Sequence, residues 1–243
     1  MVDIVFDEVE TAERALTTLA DPGSALFSTM EHIARYYKNI GYRDKTIARM
    51  LENYVLRIRP DANLLLYQDM IRKVIRRVPR HELIRIDHVP ITAGEMQTIR
   101  TLNGLMEQRV LFTLIFLAKY QNYVNVYNTS WVNVSDASIF RLANVTLTKQ
   151  RQAVLLHSLM KQGLISFSRT VDNINIQVNC LSERSPTVLK ITDERNLGYQ
   201  YSMYLGGSYV ECVCCGKVVK KNSPAHKYCR ECAAMMSLHK KRA

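Results

Sequence analysis

Residues Asn128 to Val178 read NTSWVNVSDASIFRLANVTLTKQRQAVLLHSLMKQGLISFSRTVDNINIQV, and the hydrophobic period along them switches from helical to alternating. Ser135 is placed to cap a short helix that turns Ile139, Phe140 and Leu142 inward. Ala143-Asn144-Val145 makes a tight turn. A longer helix starts at Thr146 or Thr148, buries Val154, Leu155 and Leu159, and stops at Gly163. Two strands follow, LISFSRT and INIQVNC, joined through Val171-Asp172-Asn173, where Asp-Asn suits a hairpin turn. With a helix ahead of it, this order of helix, short helix, turn, helix and β-hairpin is that of a winged helix-turn-helix.

The second helix of such a pair sends its N-terminal turns into the major groove. Here those turns carry Thr146, Thr148, Lys149, Gln150, Arg151 and Gln152, side chains that donate to phosphates or read base edges. Arg169, with Ser168 beside it, falls on the wing, in reach of a phosphate or the minor groove. Winged helices also dock proteins or dimerise, and a Thr-Lys-Gln-Arg helix start fits either use.

Upstream, PITAGEMQTIRTLNGLMEQRVLFTLIFLAKYQN opens with Thr92-x-x-Glu95, a capping box. One helix is predicted behind it, with apolar residues from Ile99 through Leu102, Leu105 and Met106 to Leu117. Its apolar core, Val110 to Ala118, is too short to span a bilayer and suits a buried helix. The first ninety residues read as three further helices. They carry Leu26, Met30, Ile33, Ala34 and Tyr37; then Ile47, Leu51, Tyr54, Val55 and Ile58; then Tyr67, Ile71, Val74, Ile75 and Val78. Asp44 and Asp61 are plausible N-caps. The third helix turns Arg72, Lys73, Arg76, Arg77 and Arg80 the other way, a stripe that suits a phosphate backbone or plain solvation. LIRIDHVPI reads as a short strand bridging to the winged module.

Downstream, TVLKI is a further strand, and Tyr199, Tyr201 and Tyr204 precede a Gly-Gly joint. Closely spaced tyrosines there read as interface mortar rather than base-stacking platforms. The chain then closes with CVCCGKVVKKNSPAHKYCREC, Cys212 to Cys232, which holds five of the six cysteines; Cys180 is the sixth. A disulfide staple, a redox pair, a catalytic site and a metal knot are the candidates. A cytoplasmic chain disfavours the staple, and no βαβ context surrounds either pair for a thioredoxin-like reading. Cys212-x-x-Cys215 and Cys229-x-x-Cys232 have the spacing of a tetrahedral Zn²⁺ site, and four protein ligands leave no position for a reactive water. Cys214 is a spare thiol, His226 the substitute ligand, and His239 lies too far along. The reading is a structural zinc ribbon. From Glu211 to the end, eight Lys/Arg face two Glu, so six of the eleven net positive charges lie here, two of them (Lys240, Lys241) on a tail expected to be mobile. So basic a small domain faces an anionic polymer or surface, unless its lysines only solvate it; nucleic acid is the reading preferred.

Length allows one large domain or two to three small ones. The acidic start MVDIVFDEVE lacks the basic and apolar regions of a signal peptide, so a cytoplasmic location, in a bacterial host cell, is expected. The segments RVLFTLIFLAKYQN, WVN, IFRLANV and RQAVLLHSLMKQGLISFSRTVDNINIQV, then ITDERNLGYQY, YVECVCCG and KYCREC, resemble a family encoded by phages, prophages and related mobile elements. The resemblance runs from about Tyr36 onward. It implies a mobile-element origin and places the family's four ribbon cysteines on Cys212, Cys215, Cys229 and Cys232; it supplies no activity, and Cys214 stands outside its pattern.

No Walker loop, GxGxxG, HExxH or GxSxG occurs, the six histidines are scattered, and no carboxylates cluster for Mg²⁺. An enzyme is not expected. The fold class is mainly α with small β: an N-terminal helical domain (1–90), a winged helix-turn-helix domain (91–205) and a C-terminal zinc ribbon (206–243). Two functions follow. One is a DNA-binding regulator or replication initiation factor of a mobile element, with duplex DNA as partner. The other is an interaction protein that modulates a host complex such as RNA polymerase or a defence system.

Overall fold

The computed structural model describes residues 6–78, 82–125, 127–168 and 175–242. The described chain is mainly helical with small sheets. It divides into two compact units, one running from Phe6 to Asp87 and the other starting at His88.

In the first unit, strand β1 (Phe6–Asp7) leads into α1 (Glu8–Thr17), where the Asp7 carboxylate accepts the Val9 and Glu10 N–H groups and satisfies the helix start. Helices α2 (Leu26–Ile40), α3 (Asp44–Ile58) and α4 (Gln68–Arg77) follow, and β2 (Arg85–Ile86) returns antiparallel to β1. The predicted apolar faces make the core: Met30 and Ile33 of α2, Ile47, Leu51 and Val55 of α3, and Val74 of α4 are fully buried. Helix α1 has no counterpart among the predicted elements. It is too charged to show a clean stripe, and its one buried acid, Glu8, pairs with Arg35 and accepts the Ile84 N–H at 2.8 Å.

Both predicted caps are corrected. Asp44 is the first residue of α3, behind Arg43, which makes no side-chain cap bond. Asp61 precedes a 3-10 turn over Leu64–Tyr67 that Asn63 caps, so α4 begins only at Gln68. Along the basic stripe Arg72 pairs with Asp69 at 2.6 Å and Arg77 with Glu31 at 3.5 Å, while Arg80 lies outside the described residues. LIRIDHVPI is two strands rather than one, because β2 serves the first unit and β3 (Val89–Thr92) the second.

Behind β3 the capping box forms as expected: Glu95 N–H donates to the Thr92 hydroxyl at 3.3 Å and Thr92 N–H to the Glu95 carboxylate at 2.8 Å. The predicted single helix is broken, however, into α5 (Ala93–Arg100) and α6 (Leu105–Val124). Gly104 is extended (φ −104°, ψ 129°) and the Gln108 amide donates to the Leu102 carbonyl across the break, so Leu102 is buried while Leu105 and Met106 face solvent. Helix α6 is the axis of this unit, buried without interruption from Val110 to Lys119, and α5, α7, α8 and α9 all pack against it. Glu95, fully buried, accepts from Lys119 at 2.9 and 3.0 Å and from the Ser182 N–H at 3.2 Å, tying α5, α6 and a distant loop together.

Next come β4 (Trp131–Val132), α7 (Asp136–Leu142), α8 (Lys149–Lys161), β5 (Ile165–Phe167) and β6 (Ile176–Val178). Ser135 and Thr148 cap the two helices, and β6 runs antiparallel between β4 and β5. Leu155, Leu156 and Leu159 are the buried residues of α8; Val154, predicted inward, is 64% exposed because Leu156 takes the inward position. The Val171-Asp172-Asn173 connection lies outside the described residues. β7 (Thr187–Ile191) pairs antiparallel with β3, Val89 opposite Ile191. Helix α9 (Leu197–Tyr204) lies on α6, with Tyr201 buried against Phe112 and donating to Gln108 at 3.0 Å. β8 (Tyr209–Glu211), β9 (Val218–Lys220) and α10 (Arg230–Arg242) complete the chain, so the backbone of the expected mobile tail is helical through Arg242.

Candidate metal centre and nucleic-acid interface

The β8–β9 hairpin aligns Tyr209 with Lys220 and Glu211 with Val218, so the chain between them must double back within a few residues. It does so as a tight loop: Cys212 N–H donates to the Lys217 carbonyl at 3.0 Å and Gly216 N–H to the Cys212 carbonyl at 2.8 Å. Gly216 has φ +74°, a conformation that a side chain disfavours. Cys212 and Cys215 stand on this loop, and Cys229 and Cys232 at the start of α10. The Val213 N–H to the Lys227 carbonyl (3.0 Å) and the Lys217–Glu231 ion pair (3.2 Å) hold the two loops together.

The four sulfurs lie within 4.8 Å of one another, and Cys215 and Cys229 are 3.8 Å apart. A tetrahedron with metal–sulfur bonds of about 2.3 Å has edges of about 3.8 Å, so the thiols are spaced for a common ion and too far apart for disulfides. Cys212, Cys229 and Cys232 are buried and Cys215 half-buried. Burial disfavours the Cys212 thiolate, but the backbone N–H groups of Cys229, Cys215 and Cys214 outweigh it and draw its pKa down to about 6. Cys232, hydrogen-bonded to Cys229 and desolvated, is pushed up. A bound cation would take all four sulfurs as thiolates.

The neighbours sort themselves by geometry. Cys214 is exposed and stands outside the cluster. His226 is not a ligand: its Nδ1 accepts the Asn222 N–H at 3.1 Å and its Nε2 donates to the Tyr228 carbonyl at 2.7 Å, which occupies both nitrogens and fixes the tautomer. Arg195, from the loop before α9, donates to the Cys215 carbonyl at 2.6 Å.

Thr146, Thr148, Lys149, Gln150 and Arg151 are exposed around the start of α8. Among the described residues nothing pairs with the side chains of Lys149, Gln150 or Arg151. Thr148 is partly engaged, its hydroxyl accepting the Arg151 N–H at 3.4 Å, and Gln152 is half-buried with its amide donating to the Leu147 carbonyl at 3.1 Å. Arg169 lies outside the described residues; Ser168 N–H donates to the Asn175 carbonyl at 2.9 Å, extending the β5–β6 ladder. His157 meets Phe167 edge-on from an exposed position.

What sequence reasoning missed is how the start of α8 is tied to the cysteine loop. Asn144, in the turn before α8, and Asn196, before α9, both adopt left-handed backbone (φ 54° and 55°). The Asn144 amide donates to the Asn196 side chain at 2.9 Å, and the Asn196 amide donates to the Val218 carbonyl of β9 at 2.8 Å. The only available signal was asparagine's tolerance of that conformation. Of the three tyrosines only Tyr201 is fully buried mortar; Tyr199 is half-buried, with the Arg109 guanidinium 5.4 Å from its ring, and Tyr204 is exposed. Arg109 also lies 5.9 Å from the Tyr209 ring and donates to the Tyr209 hydroxyl at 2.5 Å. No family model, curated protein or solved structure matches the chain. Among the described residues no helix is long and apolar enough to cross a membrane.

Proposed function

We propose that this is a nucleic-acid-binding protein of a mobile element, a regulator or replication initiation factor, in which residues 105–178 act as a winged helix-turn-helix on duplex DNA and the C-terminal cysteines form a zinc ribbon. One observation carries the reading: α8 starts with Lys149, Gln150 and Arg151, all exposed and without a side-chain partner among the described residues, at the helix end that enters a groove in this motif. The segment from Glu211 onward contributes six of the eleven net positive charges, and the sulfur spacing suits Zn²⁺, whose identity elemental analysis of the reduced protein decides. With Gln152 held by its own backbone, Gln150 is the better candidate to pair with an adenine edge. Lys149→Ala and Arg151→Ala should each lower the log–log salt slope of duplex binding by about one. Unchanged slope and affinity in both variants would overturn the reading.

A second reading has one observation in its favour. Val154, 64% exposed, stands one helical turn after Gln150 on the same face of α8, where a protein partner would cover it. In that case a host complex is the partner, and co-purification with it would survive nuclease and be lost in Val154→Asp.

A further inference from the structure

Beside the cysteine cluster lies an open cleft of about 590 Å³, within the roughly 300–1,000 Å³ range of small-ligand sites. Its walls combine two aromatic rings, Tyr199 of α9 and Tyr228, with three cations: Lys220 of β9, Lys227, and Arg230 of α10. Among the described residues no carboxylate lines it, and none of the three cations has an ion-pair partner. Lys220 Nζ stands 6.0 Å from the Tyr199 ring centroid, so charge and aromatic surface meet at one spot. His226, anchored by its two hydrogen bonds, fixes the loop that carries Lys227 and Tyr228.

We infer that this cleft takes an unpaired nucleotide of a single-stranded nucleic acid, with the phosphate on Lys220, Lys227 and Arg230 and the base against Tyr199 and Tyr228. A duplex offers only phosphates and groove edges to a recess, whereas an unpaired base offers the π-face that tyrosines recognise. The cations supply the affinity for the strand and the rings supply the requirement for a base. The inference deepens the nucleic-acid reading and rests on it, but it assigns a different surface and a different strand state from α8.

The test uses the full-length, metal-loaded protein and four fluorescent probes: oligothymidylate, oligouridylate, an abasic strand of equal length, and a duplex. The base-bearing strand should bind roughly five- to hundredfold more tightly than the abasic one, the range for one stacked base. Preference between thymidylate and uridylate names the polymer, and either supports the site. Lys227→Ala with Arg230→Ala should lower single-strand affinity and reduce its salt slope by about 0.7 for each phosphate no longer neutralised. The same pair should leave the effect of Arg151→Ala on the duplex intact. Crosslinks from 5-iodouridine strands should map to Tyr199 or Tyr228, which tests the site without a substitution beside the cysteines. Equal binding of abasic and base-bearing strands, an unchanged double variant, or crosslinks confined to α8 would overturn the inference. Arg151→Ala still weakening duplex binding would leave the proposed function standing in that event. An inert Arg151→Ala together with a defective double variant would instead overturn the duplex reading and keep the cleft.

Discussion

His32 sits beside Phe6 with its Nδ1 buried and, among the described residues, without a hydrogen-bond partner, an arrangement that tolerates a neutral ring and penalises a charged one. Burial, and then the Arg35 charge, hold its pKa below the ordinary 6.5, against the opposing pull of Glu8 and Glu31. Because the folded value is the lower one, the unfolded chain binds the proton first. The unit from Phe6 to Asp87 should therefore keep this contribution above about pH 6.5 and lose it as pH falls through the depressed folded value. Urea denaturation of His32→Phe between pH 5 and 7.5 should show a flatter pH dependence than the parent; an identical profile would reject the assignment. Gly198 makes a different kind of residue-scale demand. A Cβ there would fall on the Ala143 carbonyl, which belongs to the turn before α8 and has no flexible end to withdraw. Overpacking costs about 1–3 kcal/mol and occasionally more; with backbone as the obstacle, Gly198→Ala should lie at or above the top of that range in equilibrium unfolding.

At the scale of elements, β8, β9 and the start of α10 have little apolar core of their own. Their small cluster consists of Cys212, Cys229 and Cys232, with Cys215, Val219 and Tyr228 around it. An ion at the four thiols would supply the missing cross-link. Stripping the metal, or Cys229→Ser, should thus remove hydrogen-exchange protection from residues 209–237. Protection should survive in α6, buried along ten consecutive residues, and the emission of Trp131, the single tryptophan, should stay unchanged because β4 pairs with β6 and not with the β8–β9 hairpin. A shifted Trp131 emission would show that the Asn144–Asn196–Val218 chain makes the fold of α7 and α8 depend on the metal.

At the scale of the whole molecule, the first unit has a core drawn entirely from α2, α3, α4 and the residue after them, from Leu26 to Val78. Among the described residues, every member of that cluster, with the side chains packed against it, lies between Ala15 and Val78. Residues 6–87 and 88–243, expressed separately, should each unfold cooperatively, and the latter should retain the capacity to take an ion at the four thiols and the duplex binding proposed for α8. Loss of cooperativity in the first fragment, measured by calorimetry, would refute that independence.

Much of this was legible because the signals are local. Ser135 and the Thr92–Glu95 box lie within one turn of the groups they satisfy, and the buried faces of α2 and α3 follow from period alone. The paired cysteines are likewise three positions apart within each loop, so their spacing named the cluster that the fold closes. Other features depended on partners far along the chain. β3 waits for β7, Glu95 for Lys119 and Ser182, Asn144 for Asn196, and Val154 lost its inward place to Leu156. The cleft with Tyr199, Lys220 and Arg230 joins three elements whose residues read separately as mortar and solvated charge. Caps, periods and cysteine spacing act over four residues or fewer and so are written in the sequence; burial and long-range hydrogen bonding choose among distant partners, and only the tertiary structure made those choices.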